Sequence, residues 1–282
     1  MLPYLDPPSV GPVNSFGLLV VVGVFAGATA AYRHGERLGL DPARVRRMAL
    51  LCGVFGLLGA HLLDVLLYQP GWASREGAIW TLLDPFAGIS SMGGILGGAA
   101  GFFLFAWLTG IHTLRYADAA ALGVLVLLTF GRAGCASVHD HVGVASHFAL
   151  AVDFPPGNPA GVVGPHHDLG LYELGLLLAL LAAAALWLRT PRRPGALVGL
   201  LAVTYAPVRF FFELLRRPSS DPRYAELTPA QWATAALFAA GVVVLVLVHR
   251  RREDPPDRYE PPTPWRTYLA RLARAQARRA GS

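Results

Sequence analysis

Four residues in the stretch Tyr205-Ala-Pro-Val-Arg209-Phe-Phe-Phe-Glu213-Leu-Leu-Arg216 have the types and the spacing to do chemistry. Tyr205, Arg209 and Glu213 recur every four positions and share one helical face, and Arg216 falls within reach of Glu213. The surrounding pattern is apolar, and a charge at membrane depth costs roughly 2.5 to 3.5 kcal/mol on insertion scales, so such residues face a partner, a cavity or a substrate. One acid between two bases leaves the face net positive. Pro207 has no amide proton, so the carbonyl of Val203 loses its helical partner and the helix is expected to loosen beside Arg209. Two readings follow. One is an Arg-Glu pair that locks helices together. The other is a guanidinium held in apolar surroundings for a phosphate, which its planar fork grips at two oxygens.

Only membrane-spanning helices can place charge that way. The chain has 282 residues, 54% hydrophobic and 15% charged, and a mean hydropathy of +0.45, which indicates an integral membrane protein. The apolar runs predict seven spans, at about 16 to 32, 48 to 68, 92 to 109, 117 to 131, 171 to 189, 195 to 215 and 230 to 249. The expected fold class is therefore an all-α integral membrane protein, seven transmembrane helices with a small outer loop domain. Its parts would be a membrane domain over about 1 to 250, a cap within it at about 131 to 170, and a tail over about 251 to 282 with a short interfacial helix.

Every one of the 24 basic residues is Arg. Arg33, Arg37, Arg44, Arg46 and Arg47 follow the first span, Arg189, Arg192 and Arg193 the fifth, and nine more lie between Arg250 and Arg279. The positive-inside rule makes these three segments cytoplasmic and the N-terminus external. Arg209, Arg216, Arg217 and Arg223 then lie on the outer side, against the rule, which marks them for function. The net charge of +6 suits anionic lipid headgroups, and without a recognition motif no nucleic acid is expected. The first 14 residues hold no Lys or Arg, so no secretory signal peptide is read there. Cys52 and Cys135 have neither zinc-ligand spacing nor the number for a disulfide framework.

Other polar residues accompany the spans. His61 and Asp64 are three apart in the second span and can pair on one face, either satisfying each other or handling a proton. Gly93, Gly97 and Gly101 strip one face of the third span for close helix packing, and Gly93 and Gly94 at its outer end have room for a headgroup. The loop from Arg132 to Gly170 carries five of the nine histidines, among them His139 and His141. Their clusters read as solvated turns, and no metal is assigned.

The ordered set Gly88-x-Ser90-x-x-Gly93-Gly94-x-x-Gly97, Arg132-x-Gly134, Leu171-Tyr172-Glu173 and Tyr205-x-x-x-Arg209-Phe-x-x-Glu213-x-x-Arg216 resembles the prolipoprotein diacylglyceryl transferase family. The resemblance implies an inner-membrane bacterial enzyme with seven spans and an external N-terminus. It also implies transfer of the diacylglyceryl group from phosphatidylglycerol to the lipobox cysteine of a prolipoprotein, with glycerol phosphate released and no cofactor. Arg132 and Arg209 would hold the lipid phosphate. Tyr205 and Glu213 would orient their helix, and Gly93 and Gly94 would line the headgroup site. Asp140, Tyr172, Glu173 and Arg216 would contact the substrates. Where the family usually carries His before the Gly pair, this chain has Met92; Cys135 stands for its Asn, Asp140 for its Glu and Phe16 for its Tyr. A base for the acceptor thiol is expected at His61, with His139 and His141 as further candidates, unless the arginines alone lower the thiol pKa.

Overall fold

Side-chain caps and close-packed glycines define the helices of this computed structural model, which describes residues 1–6, 9–10, 13–69, 71–74, 78–83, 88–218 and 221–250. The expected interfacial helix of the tail lies outside the described residues. Helix α1 spans Ser15–Arg37, α2 Pro42–Leu63, α3 Ala78–Leu83, α4 Ser91–Thr109, α5 Thr113–Val138, α6 Leu169–Trp187, α7 Ala196–Leu214 and α8 Pro229–Arg250. All but α3 are long and apolar enough to cross a membrane, α2 together with the π-helical turn Asp64–Tyr68 that extends it.

Each start has a chemical reason. Asn14 accepts the Gly17 amide at 2.8 Å to open α1, and Asp41 accepts that of Ala43 at 2.8 Å to open α2. Thr228 and Gln231 form a reciprocal capping box at α8: the Gln231 amide donates to Thr228 Oγ1 at 3.2 Å, and the Thr228 amide to Gln231 Oε1 at 3.0 Å. Helix α7 begins at Gly195, which has no side chain to cap with. Its cap comes from α5, where buried Asp118 accepts the amides of Gly195 at 2.8 Å and Val198 at 2.9 Å.

Glycine seams hold the helices in pairs. A Cβ built on Gly27 of α1 would lie 2.6 Å from the Gly123 carbonyl of α5, and one on Gly59 of α2 would lie 2.6 Å from the Gly93 carbonyl of α4. Such approach suits lipid, where dispersion between close backbones drives helix association. The Gly93-Gly97-Gly101 face thus packs on α2 as expected, whereas a Cβ at Gly94 would meet only ordinary contacts. Large apolar side chains such as Phe25 and Trp107 face outward.

Two features depart from an all-helical reading. The strands are β1 Leu2–Pro3, β2 Ser9–Val10, β3 Val13–Asn14, β4 Val142–Ala145, β5 Val152–Phe154 and β6 Gly164–Asp168. Four of them form one sheet in the order β1-β5-β6-β4, with β1 parallel to β5 and the remaining pairs antiparallel. The long loop therefore carries three strands that pair with β1 near the N-terminus, over a small core of Val142, Val152, Phe154 and Val162. Secondly, α5 continues to Val138, so Arg132 and Cys135 sit in its last two turns rather than in the loop. Gly134 accounts for the difference: it is no break, but a place where α5 closes on Phe16 of α1. Helix α7 is continuous through Pro207.

Candidate functional site

Three helices bring their charges together near the sheet. Arg132 lies six residues before the end of α5, Arg209 five before the end of α7, and Glu173 four after the start of α6. At 1.5 Å per residue these positions are about 6 to 9 Å inside the helix ends. Arg132, Glu173, Tyr205, Arg209 and Glu213 are all buried.

Glu173 is the hub. Its Oε2 receives Arg132 Nε at 3.0 Å and Arg209 Nε at 3.3 Å, and its Oε1 accepts the Tyr205 hydroxyl at 2.5 Å. On the same face of α7, Arg209 Nη1 pairs with Glu213 Oε1 at 2.5 Å. The other oxygen of Glu213 accepts from Thr228 Oγ1 at 3.0 Å. Arg216 lies 3.5 Å from Glu213 Oε1 and directs its Nε to Asp221 at 2.8 Å. The α7 face itself is one acid between two bases, as expected, and neighbouring carboxylates balance it: Arg132, Arg209 and Arg216 are matched by Glu173, Glu213 and Asp221. Balance is what burial demands, because an unpaired ion in apolar surroundings is costly.

The terminal nitrogens of Arg132 rest on neutral groups. Nη2 donates to Ser91 Oγ at 3.1 Å, and Nη1 reaches His141 Nε2 at 3.0 Å and Cys135 Sγ at 3.7 Å. Guanidinium nitrogens only donate, so His141 Nε2 is the acceptor; its Nδ1 then carries the proton and donates to Asp140. Burial and the Arg132 charge hold the His141 pKa below the ordinary imidazole value. Burial works to raise the Asp140 pKa, but the hydrogen bond from His141 and the charge of Arg132 outweigh it and leave the carboxyl below its ordinary value.

Cys135, Asp140 and His141 present metal-ligand atoms within 4.8 Å of one another. The Arg132 guanidinium already touches two of them and supplies the cation that such a cluster attracts.

Of the residues singled out in the sequence, Arg132, Glu173, Tyr205, Arg209, Glu213 and Arg216 come together, and Asp140 joins through His141. Gly93 and Gly94 follow Ser91 in the first turn of α4, beside the end of Arg132. Tyr172 points elsewhere: its hydroxyl meets His167 Nδ1 at 3.0 Å and its ring packs edge-on against Phe148. His61 faces the backbone carbonyls of Leu82 at 3.0 Å and Gly88 at 3.3 Å. The expected His61-Asp64 pair is not formed; Asp64 accepts from Gln69 Nε2 at 3.0 Å. Other partners hold both side chains: the His61 ring nitrogens face two carbonyls beyond α2, and Gln69 in the following turn takes the Asp64 carboxylate. Ser91 and Thr228 were not assigned to the site from sequence, and His141 was named there only as a further candidate base. Thr228 has a readable signal in Thr-Pro-Ala-Gln, a capping box with Pro at the first helical position.

Seven apolar helices around a buried, charge-balanced arginine site beside an interhelical sheet define a multi-pass membrane protein whose buried charges gather near one end of its helices. The chain belongs to the prolipoprotein diacylglyceryl transferase family, whose family model matches residues 9–247. Among its relatives is a phosphatidylglycerol–prolipoprotein diacylglyceryl transferase of Nitratidesulfovibrio vulgaris, 31% identical over 91% of this chain and 98% of the relative. One from Frankia alni is 30% identical over 86% of this chain, which spans 65% of that longer protein. One from Chromohalobacter salexigens is 28% identical over 89% of this chain and 96% of the relative.

Proposed function

We propose that the protein transfers the diacylglyceryl group of phosphatidylglycerol to the cysteine thiol of a prolipoprotein, with its N-terminus outside the bacterial inner membrane and its C-terminus in the cytoplasm. The observation that carries this reading is the convergence of Arg132 and Arg209, from different helices, on one oxygen of Glu173, about 6 to 9 Å inside the helix ends. Two guanidiniums held on one carboxylate can grip the oxygens of a single phosphate.

In the reaction the acceptor sulfur attacks the glycerol carbon that carries the phosphate ester. The S–C bond forms as the C–O bond breaks, and the electron pair departs with the phosphate oxygen as glycerol phosphate. Arg132 and Arg209 stabilise the charge that grows there, in a site where the donors are already oriented. Removing one such donor costs about 2.7 to 4 kcal/mol of transition-state stabilisation in other enzymes. Glu173 and Glu213 hold the arginines in place, and Tyr205 fixes Glu173. Ser91, His141 and Cys135 are neutral at Arg132 and can yield to phosphate oxygens without stranding a charge.

The test is a lipobox peptide incubated with the purified protein in phosphatidylglycerol vesicles and analysed by mass spectrometry. The expected product carries a diacylglyceryl thioether on its cysteine. Vesicles of diacylglycerol and phosphatidylcholine should give none. Product that formed equally well without phosphatidylglycerol, or no product with it, would sink the reading.

A further inference from the structure

We propose that His141, oriented by Asp140, is the general base that takes the proton from the acceptor thiol. The step rests on the transferase reading above. A thiol attacks as thiolate, and with an unperturbed pKa of about 8.5 only a few per cent is ionised at pH 7. Most of the site cannot help. Glu173 and Glu213 are committed to arginines, Tyr205 and Thr228. Met92, next to Ser91, takes no proton at neutral pH. His61 turns both ring nitrogens to backbone carbonyls.

His141 has the required form. Asp140 accepts a hydrogen bond from Nδ1–H, which fixes the tautomer and leaves the Nε2 lone pair on the Arg132 Nη1 side, 3.0 Å away. The groups around this ring are Asp140 beside it, Arg132 and Cys135 from α5, Glu173 from α6, and Arg216 and Asp221 after α7. With its pKa held below the ordinary value, the ring is neutral at pH 7 and able to accept. The contact with Arg132 also sets an order of events. While Nη1 rests on Nε2 the lone pair is covered; when a lipid phosphate draws Nη1 away, the lone pair is released. The thiol proton then moves to Nε2, the sulfur attacks, and the imidazolium returns the proton to the departing glycerol phosphate. Sulfur is thus activated only when lipid is in place.

The experiment compares the parent, His141→Gln, His141→Ala and Asp140→Asn in phosphatidylglycerol vesicles with lipobox peptide. It reads thioether formation from pH 6 to 9 and, separately, phosphatidylglycerol retained by each purified protein. The two His141 variants should retain lipid as the parent does and lose about 100-fold in rate at pH 7, within the usual range for a general base. The deficit should shrink towards pH 9, where the thiol ionises unaided, and added imidazole should restore part of the His141→Ala rate. Asp140→Asn should fall between the parent and His141→Gln. Rate profiles that superimpose on the parent overturn the assignment, and so does a deficit equal at every pH without imidazole rescue, which marks a structural role. A parent that retains lipid but makes no thioether overturns the transferase reading and this step with it.

Discussion

Arg132 of α5 and Arg209 of α7 meet on a single carboxylate oxygen, Glu173 Oε2, at 3.0 and 3.3 Å. Two like charges so close persist only because the carboxylate lies between them, so Glu173 governs both the spacing of the guanidiniums and the stability of three helices. Glu173→Gln leaves both arginines buried with a neutral partner. Loss of one member of a buried ion pair costs about 3 to 5 kcal/mol. The expected outcome is a drop of that size in unfolding free energy, measured by denaturant titration in detergent micelles; a drop below about 1 kcal/mol would contradict the hub role, being no more than a surface ion pair is worth.

Arg209→Lys separates charge from geometry. Lysine keeps the cation but has no planar fork, and it cannot serve Glu173, Glu213 and a phosphate together. We expect thioether formation to fall at least about tenfold, equivalent to 1.4 kcal/mol or more of lost transition-state stabilisation. A lysine variant as fast as the parent would exclude the clamp.

Two glycines on α1 and α2 should respond in opposite ways. A Cβ at Gly27 would lie 2.6 Å from a backbone carbonyl of α5, whereas one at Gly53 meets nothing within 4 Å. Gly27→Ala must push the helices apart and should cost about 1 to 3 kcal/mol. Gly53→Ala should be neutral or slightly stabilising through helix propensity. Thermal unfolding of the two variants in parallel checks the contrast.

The sheet should loosen in alkali. His139 donates from Nδ1 to Asp168 at 2.6 Å and from Nε2 to the Leu5 carbonyl at 3.1 Å, with Tyr4 stacked on its ring. The hydrogen bond to Asp168 is the main cause that raises its pKa above the ordinary value. A raised folded pKa means stabilisation that is complete below the unfolded value of about 6.5 and is lost as pH rises through the folded one. Hydrogen exchange at Leu2 of β1 and in its partner β5 should therefore show protection, corrected for intrinsic rates, that falls from pH 6 to pH 9 in the parent and stays flat in His139→Gln.

Topology can be read with an impermeant thiol reagent on intact cells. A cysteine introduced at Ser219 should label from outside, and one at Ser282 only after the membrane is opened. The reverse pattern would place the arginine site at the cytoplasmic face.

The four-residue spacing of Tyr205, Arg209 and Glu213 was enough to predict their shared face, because helical periodicity is local. The seven spans were legible for the same reason, from apolar run length. What could not be read depends on contacts distant in sequence. The apolar run ended at about residue 131 and put Arg132 in a loop, but Gly134 lets α5 continue against α1. His61 and Asp64 looked paired, but His61 meets the carbonyls of Leu82 and Gly88, which no local pattern announces. Glu173 gave no sign that two arginines 41 and 36 residues away on either side would share its oxygen. The strand pairing of Leu2–Pro3 with Val152 and Asp153 lies still further beyond any local pattern.

The cap that Asp118 supplies to α7 also bears on how the chain is made. Ribosomes release the chain from its N-terminus, so the acceptor in α5 is already in the bilayer when Gly195 emerges 77 residues later. Had the cap belonged to α8, the first amides of α7 would have waited without a partner while the rest of the chain was being synthesised. Arg209 therefore lies on a helix whose cap, like Arg132 and Glu173, is synthesised before it, and no later segment is needed to complete that triad.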